Sequence, residues 1–124
     1  MFRYVIVLMM FVSSCANAHQ FLPTYPKFQN SFVEGVVYTK MELFNKRKEI
    51  GFYELGVFDA DWNSLSFASE SKLIRINYLE TKSVNVYIKK EDLKRAVYIC
   101  TESKIKREDI QATPIASKIC SKIK

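Results

Sequence analysis

The single histidine of the chain, His19, could bind copper if the mature protein begins with it. A free N-terminal histidine offers its α-amine and an imidazole nitrogen as a compact chelate, and nitrogen ligands suit copper. No second imidazole exists in this sequence, so tyrosines, carboxylates or a partner would have to complete the site. The sequence therefore predicts no cofactor, with copper at His19 as the alternative.

A second group of side chains follows the spacing of a calcium-binding loop. Positions 1, 3, 5 and 12 of such a loop are occupied by Asp59, Asp61, Asn63 and Glu70. Ser64 stands where the loop requires a glycine for its sharp turn. A turn stabilised by Asp and Asn side chains accounts for the same residues without a metal, so calcium is the alternative interpretation here.

Catalytic combinations of side chains are scarce. Because the only histidine lies near the predicted start of the mature chain, no Ser-His-Asp or Cys-His arrangement can be assembled. The three glycines are scattered and form no phosphate-binding loop. The sequence therefore predicts a non-enzymatic protein.

Residues 1–18 have the features of a signal peptide. Arg3 precedes an uncharged run over residues 4–12, which is shorter than the roughly 20 apolar residues that a membrane-spanning helix needs. Ala16-Asn17-Ala18 then provides small residues for cleavage, which would leave His19 first.

An overlapping signal offers an alternative to cleavage at His19. Val12-Ser13-Ser14-Cys15 resembles a lipoprotein box, in which Cys15 would be lipidated and become the first residue. Membrane association is predicted only in that case. Both alternatives place the mature protein in the periplasm or outside the cell.

The charge of the chain is basic. Its formal net charge of +6 becomes +5 when Arg3 is removed with the leader. Outside the cytoplasm such a surplus indicates a solvated face that keeps the domain soluble, with weak attraction to anionic surfaces or to a partner's carboxylates as the alternative. We therefore predict a protein partner and no nucleic acid.

Cys100 and Cys120 remain as an even pair in an oxidising compartment, which predicts one disulfide. The alternative, a redox-active pair, lacks the C-x-x-C spacing. The bridge is therefore expected to be structural.

Period-two alternation of apolar and polar residues dominates the rest of the chain. Such patterns are typical of half-buried antiparallel strands, and they occupy residues 37–45, 51–59, 82–90 and 95–103. Polar turns separate them, and residues 89–94 could form one helical turn. The pattern predicts a single antiparallel β-sandwich of the immunoglobulin-like class, with about seven short strands.

The two ends of the mature chain are less regular. Residues 19–32 carry two prolines three apart and several aromatics, which predicts an extended lead-in that cannot sit centrally in a sheet. The sandwich itself is expected over residues 33–124. Thr113-Pro114 fits a helix start, but isoleucines alternating over residues 115–123 fit a strand, which we favour.

The order of several motifs resembles the N-terminal immunoglobulin-like domain of the periplasmic pilus-assembly chaperones. The similarity covers about residues 33 to 104, and its motifs are MELFN, FYELGVFDADW, LETKSVNVYI and DLKRAVYICTESK. The resemblance implies a sandwich that binds a partner by strand addition along an edge. These 124 residues contain no counterpart of the family's second domain.

The resemblance also implies candidate binding residues. In these chaperones an arginine of the first strand and a lysine of the last strand anchor the client's terminal carboxylate. Here Lys27 lies near the first position, and Lys118 or Lys122 near the second. The resulting hypothesis is an exported, chaperone-like interaction module. A small copper-binding protein using His19 and a passive structural component of an assembly are the alternatives.

Overall fold

The computed structural model describes residues 19–104 and 117–124. The predicted leader, with Cys15 and the cleavage motif, lies outside the described residues, as does the helix-start motif Thr113-Pro114. The elements, in chain order, are β1 (Gln20–Leu22), β2 (Gln29–Asn30), β3 (Val36–Phe44), β4 (Phe52–Asp59), β5 (Leu73–Arg75), β6 (Thr81–Lys89), α1 (Lys90–Leu93), β7 (Ala96–Lys104) and β8 (Lys118–Lys122).

The strands form two antiparallel sheets. In sheet A, β3 pairs with β6 along its whole length, while β1 and β2 pair one after the other with its opposite edge. In sheet B the order is β5-β4-β7-β8. The two sheets together make an all-β sandwich, which confirms the predicted fold class.

Alternate side chains of the long strands form the core between the sheets. Each strand turns every second residue inward, because successive residues of a strand point to opposite faces. The buried apolar residues include Met41, Leu43, Tyr53, Leu55, Val57, Val84, Val86, Ile88 and Ile99. The predicted alternation of residues is therefore confirmed.

The predicted long strands agree with the structure to within one residue at each end. The helical turn after β6 and the final strand are also present. The sequence predicts residues 19–32 as a lead-in that precedes the sandwich. In the structure, two parts of this segment pair with β3 as β1 and β2 and so belong to sheet A. The prolines of this segment lie between those two short strands, at the sheet edge, where a missing N–H is tolerated. Among the described residues, no helix has the length and apolar character to span a membrane.

Candidate functional site

The outer edges of the two sheets are the places where another chain could add a strand, because edge strands present unpaired N–H and C=O groups. Sheet B ends in β5 and β8. Sheet A ends in β6 on one side and in β1 and β2 on the other. The latter two strands have three and two residues, which is short for a ladder with a partner.

Side chains of the protein cap the outer edge of β5. The backbone of Lys72 bonds to Leu55 of β4 and that of Ile76 to Gly51 just before β4, so the carbonyls of Leu73 and Arg75 point outward. The Ser71 hydroxyl donates to the first carbonyl, and the Lys82 ammonium donates to the second. These contacts oppose pairing with a further strand at this edge.

The outer edge of β6 is capped as well. Tyr87 exchanges two backbone hydrogen bonds of 2.9 Å with Ala68. The next outward N–H, that of Asn85, donates to Oε2 of Glu70 at 2.9 Å, and the Asn85 side-chain amide donates to Oε1 at 2.9 Å. A carboxylate on a strand edge satisfies the donor and repels an incoming carbonyl.

The outer edge of β8 differs from both. Ile123 donates to Val97 and Ser103 donates to Ser117, so the odd-numbered residues of this strand bond to β7. The backbone groups of Lys118, Cys120 and Lys122 therefore point away from the sheet. Within residues 19–104 and 117–124, one backbone hydrogen bond is recorded on that side, from Lys122 N–H to the Thr24 carbonyl at 2.9 Å.

The side chains of β8 divide between two faces. Ile119 packs against the core and Ser121 is buried between the sheets. Lys118 and Lys122 lie on the outer face of sheet B with Cys120, which forms the predicted disulfide with Cys100. The two cysteines are directly opposite each other in the β7–β8 ladder. The bridge therefore fixes the position of the uncapped edge strand.

An aromatic cluster adjoins β8 on the outer face of sheet B. The Trp62 ring stacks on Tyr98, with centroids 4.2 Å apart and planes 2° from parallel. The Lys118 ammonium lies 4.4 Å from the Phe58 centroid and 4.9 Å from that of Trp62, as in cation–π contacts. Trp62 remains half exposed. The alternation pattern of the strands does not extend into the turn that carries Trp62, so it does not predict this cluster.

A glycine makes room for this cluster. Gly56 lies opposite Cys100, and a Cβ at position 56 would come within 2.8 Å of the Phe58 ring. The ring therefore lies flat against the sheet beside the disulfide, and any larger residue at position 56 would displace it.

The three lysines implied by the family resemblance lie on different parts of the molecule. Lys27 lies in the segment between β1 and β2 and lines a depression of about 500 Å³ with Tyr38 and Lys40 of sheet A. Lys118 and Lys122 belong to sheet B, and the ammonium of Lys118 contacts the aromatic cluster. The lysines of β8 are therefore the ones that accompany the uncapped edge.

His19 lies buried between the two sheets. Its Nδ1 is 3.1 Å from Oγ of Ser117 and its Nε2 is 2.8 Å from Oγ1 of Thr101. Its ring lies 4.4 Å from the Tyr53 ring. A neutral imidazole has one donor and one acceptor, and two hydroxyls satisfy both. These contacts engage both ring nitrogens, so copper binding at His19 would require at least one of them to be broken.

The pKa of His19 falls from 6.5 to about 4, chiefly because burial removes water from the imidazolium. Between about pH 4 and pH 6.5, the imidazole is therefore protonated in the unfolded chain but largely neutral in the folded protein. Protonation of the unfolded chain then favours unfolding. We therefore expect full stability above about pH 6.5 and a loss of roughly 3 kcal/mol as the pH falls to about 4.

Urea denaturation of the wild type and of His19→Gln, from about pH 4 to about pH 7, measures this contribution. The carboxylates titrate in both proteins, so the difference between the two stabilities isolates the histidine. A difference that stays constant with pH would contradict the expected protonation behaviour.

The predicted calcium residues are only partly brought together. Oδ1 of Asp59 accepts the N–H groups of Asp61 and Asn63, both at 2.9 Å, which forms the predicted turn. The backbone hydrogen bond from Asn63 is the largest cause that lowers the pKa of Asp59. Glu70 instead binds Asn85 on β6. No group of three or more His, Cys, Asp or Glu residues is suitably placed for a metal within the described part of the chain.

Comparison with known proteins adds no family to these observations. No protein-family model matches the chain. No curated protein is detectably similar to it in sequence. The functional interpretation therefore rests on the geometry of this chain, in which the uncapped edge of β8 and the adjoining aromatic cluster are the main features.

Proposed function

We propose that this protein is an exported, non-enzymatic interaction module that binds a protein partner by strand addition at the outer edge of β8. The observation that carries the proposal is the difference in backbone hydrogen bonding between the outer edge of β8 and the outer edges of β5 and β6. Side chains or backbone of the protein itself bond to both outward carbonyls of β5 and to the outward residues Tyr87 and Asn85 of β6, whereas the backbone groups of Lys118 and Cys120 have no such partner among the described residues.

The environment of β8 indicates what kind of strand would fit. An added strand alternates its side chains between the two faces of sheet B. Side chains on the inner face would meet Ile119, so apolar residues fit there. Side chains on the outer face would meet Lys118 and Lys122, so acidic or aromatic residues fit there. The expected partner segment is extended, with apolar residues alternating with acidic ones.

The export half of the proposal rests on two observations. The Cys100–Cys120 disulfide is of the kind that persists in oxidising compartments. The leader-like pattern of residues 1–18 supplies a route to such a compartment.

A proline at position 118 tests the strand-addition proposal. Lys118→Pro removes an N–H that points away from β7, so the β7–β8 ladder is retained while one hydrogen bond to the partner is lost. We expect binding of the co-exported partner to weaken at least about tenfold. The measurement is recovery of the partner with affinity-tagged protein purified from the exported fraction.

Lys118→Ala is the matched control, because it removes the ammonium and keeps the N–H. This variant should still bind the partner, and its affinity should fall only by the contribution of the lysine charge. In the complex, the amides of Lys118 and Cys120 should also become protected from hydrogen exchange. Equal binding by the proline and alanine variants would contradict strand addition at this edge, and a passive structural role would then be favoured.

A further inference from the structure

The loop between β2 and β3 presents an apolar side chain to solvent. Ser31 holds this loop, residues 31–35, by donating its hydroxyl to the Val36 carbonyl at 2.7 Å. The Val36 N–H donates to the Val33 carbonyl at 3.2 Å, which closes a turn. Phe32 is fully exposed on this turn and Val33 is 62% exposed. Phe32 and Val33 together form an exposed apolar patch on an ordered turn, which is the kind of surface that contacts another molecule.

An apolar pocket lies at the same end of the sandwich. It has a volume of about 280 Å³, and its lining includes Val36, Phe67, Ala68 and Tyr87. The two hydrogen bonds between Ala68 and Tyr87 fix one wall. Since a cavity of about 150 Å³ lined by apolar residues binds benzene, this pocket has room for a phenyl ring.

The loop and the pocket lie on opposite sides of β3. The loop follows β2, which pairs with one edge of β3, whereas the pocket includes Tyr87 of β6, which pairs with the other edge. Val36, the first residue of β3, lies between them and forms part of the pocket wall. A two-fold axis near this residue would therefore place the loop of each copy at the pocket of the other.

Charges around the two features are complementary. Glu34 is exposed in the loop, and Lys89 is exposed at the rim of the pocket. Neither has an ion pair within the described residues, whereas the other rim charge, Asp92, pairs with Arg95 at 2.6 Å. A second cation lies close by, since the Lys72 ammonium is 4.8 Å from the centroid of Phe67, which lines the pocket. The acidic loop of one copy would thus meet the basic rim of another.

We propose that the protein forms a two-fold homodimer in which Phe32 of each copy occupies the pocket of the other and Glu34 faces Lys89. Two aromatic anchors and two ion pairs over a small contact area are typical of a reversible dimer, with a dissociation constant on the order of 10 μM. This interface is separate from the β8 edge, so it stands or falls independently of the proposed partner binding.

Sedimentation equilibrium of the purified chain tests the dimer directly. The wild type should dimerise, and Phe32→Ser should weaken dimerisation at least about tenfold. Tyr25→Ser is the matched control, because Tyr25 is 72% exposed at a different place on the surface. It should leave the association unchanged. A wild type that remains monomeric up to about 100 μM, or equal association of the Phe32 variant, would overturn the proposal.

Charge reversal tests which residues face each other. Glu34→Lys alone and Lys89→Glu alone should each be monomeric, because like charges then meet across the interface twice. An equimolar mixture of the two variants should form a heterodimer, in which both facing pairs are again opposite in charge. Only contact between copies predicts recovery on mixing. A mixture that stays monomeric would exclude the proposed arrangement.

Discussion

Replacing Asn45 by alanine is expected to lower the free energy of unfolding by about 4 kcal/mol, which is a large part of the stability of a small domain. Asn45 follows β3 and is fully buried. Its Nδ2 donates to the Ile50 carbonyl at 2.7 Å and to the Ile76 carbonyl at 3.3 Å. Its Oδ1 accepts from Arg47 N–H at 2.9 Å and from the Tyr53 hydroxyl at 2.7 Å.

The cost arises from the groups that the variant leaves behind. An unsatisfied buried donor or acceptor costs about 1–3 kcal/mol, and alanine would leave several of them at once. The contacts join segments that are 31 residues apart, so no local rearrangement replaces them. Urea denaturation at neutral pH measures the change.

Two variants serve as controls for Asn45. Tyr53→Phe removes one donor to Oδ1 and leaves the other, so it should cost about 1 kcal/mol. Asn77→Ala changes an exposed asparagine of another turn and should cost less than about 0.5 kcal/mol. If Asn45→Ala lowered the free energy of unfolding no more than Tyr53→Phe, the hydrogen bonds of the Asn45 side chain would not be what stabilises the turn after β3.

The sequence predicts the strands well and this corner poorly, for a physical reason. Alternation reports which face of a strand is buried, and it locates the long strands to within one residue. Asn45 is the last residue of the predicted strand 37–45 and the first of the polar turn that follows it, and polar residues in turns are usually exposed. Its burial depends on carbonyls at Ile50 and Ile76, whose positions only the complete fold determines.

The lead-in shows a similar limit. The prolines correctly predict that residues 19–32 do not enter the middle of a sheet. They do not predict that Gln20–Leu22 and Gln29–Asn30 pair with β3, because strands of three and two residues carry too little pattern. The burial of His19 is not predicted either, because it results from the pairing of β1, which carries His19 between the sheets.

The candidate site was predictable only in part. The disulfide and the final strand follow from cysteine count and alternation, while the binding role that the family resemblance implies for Lys118 or Lys122 stays a prediction. The caps at the other edges do not, because Glu70 with Asn85 and Lys82 with Arg75 are contacts between strands or loops. The contrast between capped and uncapped edges, on which the proposed function rests, therefore required the fold.

The double replacement Cys100→Ala and Cys120→Ala removes the disulfide. It is expected to lower the free energy of unfolding by about 3 kcal/mol. The bridge joins residues 20 apart and restricts the unfolded chain accordingly. It also retains β8, which is otherwise attached by a five-residue ladder with β7, by the Lys122–Thr24 hydrogen bond and by the packing of Ile119. In the double variant, the amides of Ile119 and Ser121, which bond to β7, should exchange faster than those of Tyr98 and Glu102, which bond to β4, because β8 opens locally before the core does.

Reduction of the wild type distinguishes the bridge from the packing of its two side chains. With excess dithiothreitol, urea denaturation of the wild type should approach that of the double variant, and the slope with urea should rise because the unfolded chain becomes more extended. The same reductant should leave the double variant unchanged. If reduction cost less than about 1 kcal/mol while the double replacement cost about 3 kcal/mol, the loss would come from the packing around buried Cys100. The edge of β8 would then be held by its ladder and by Ile119, and partner binding at that edge should persist under reducing conditions.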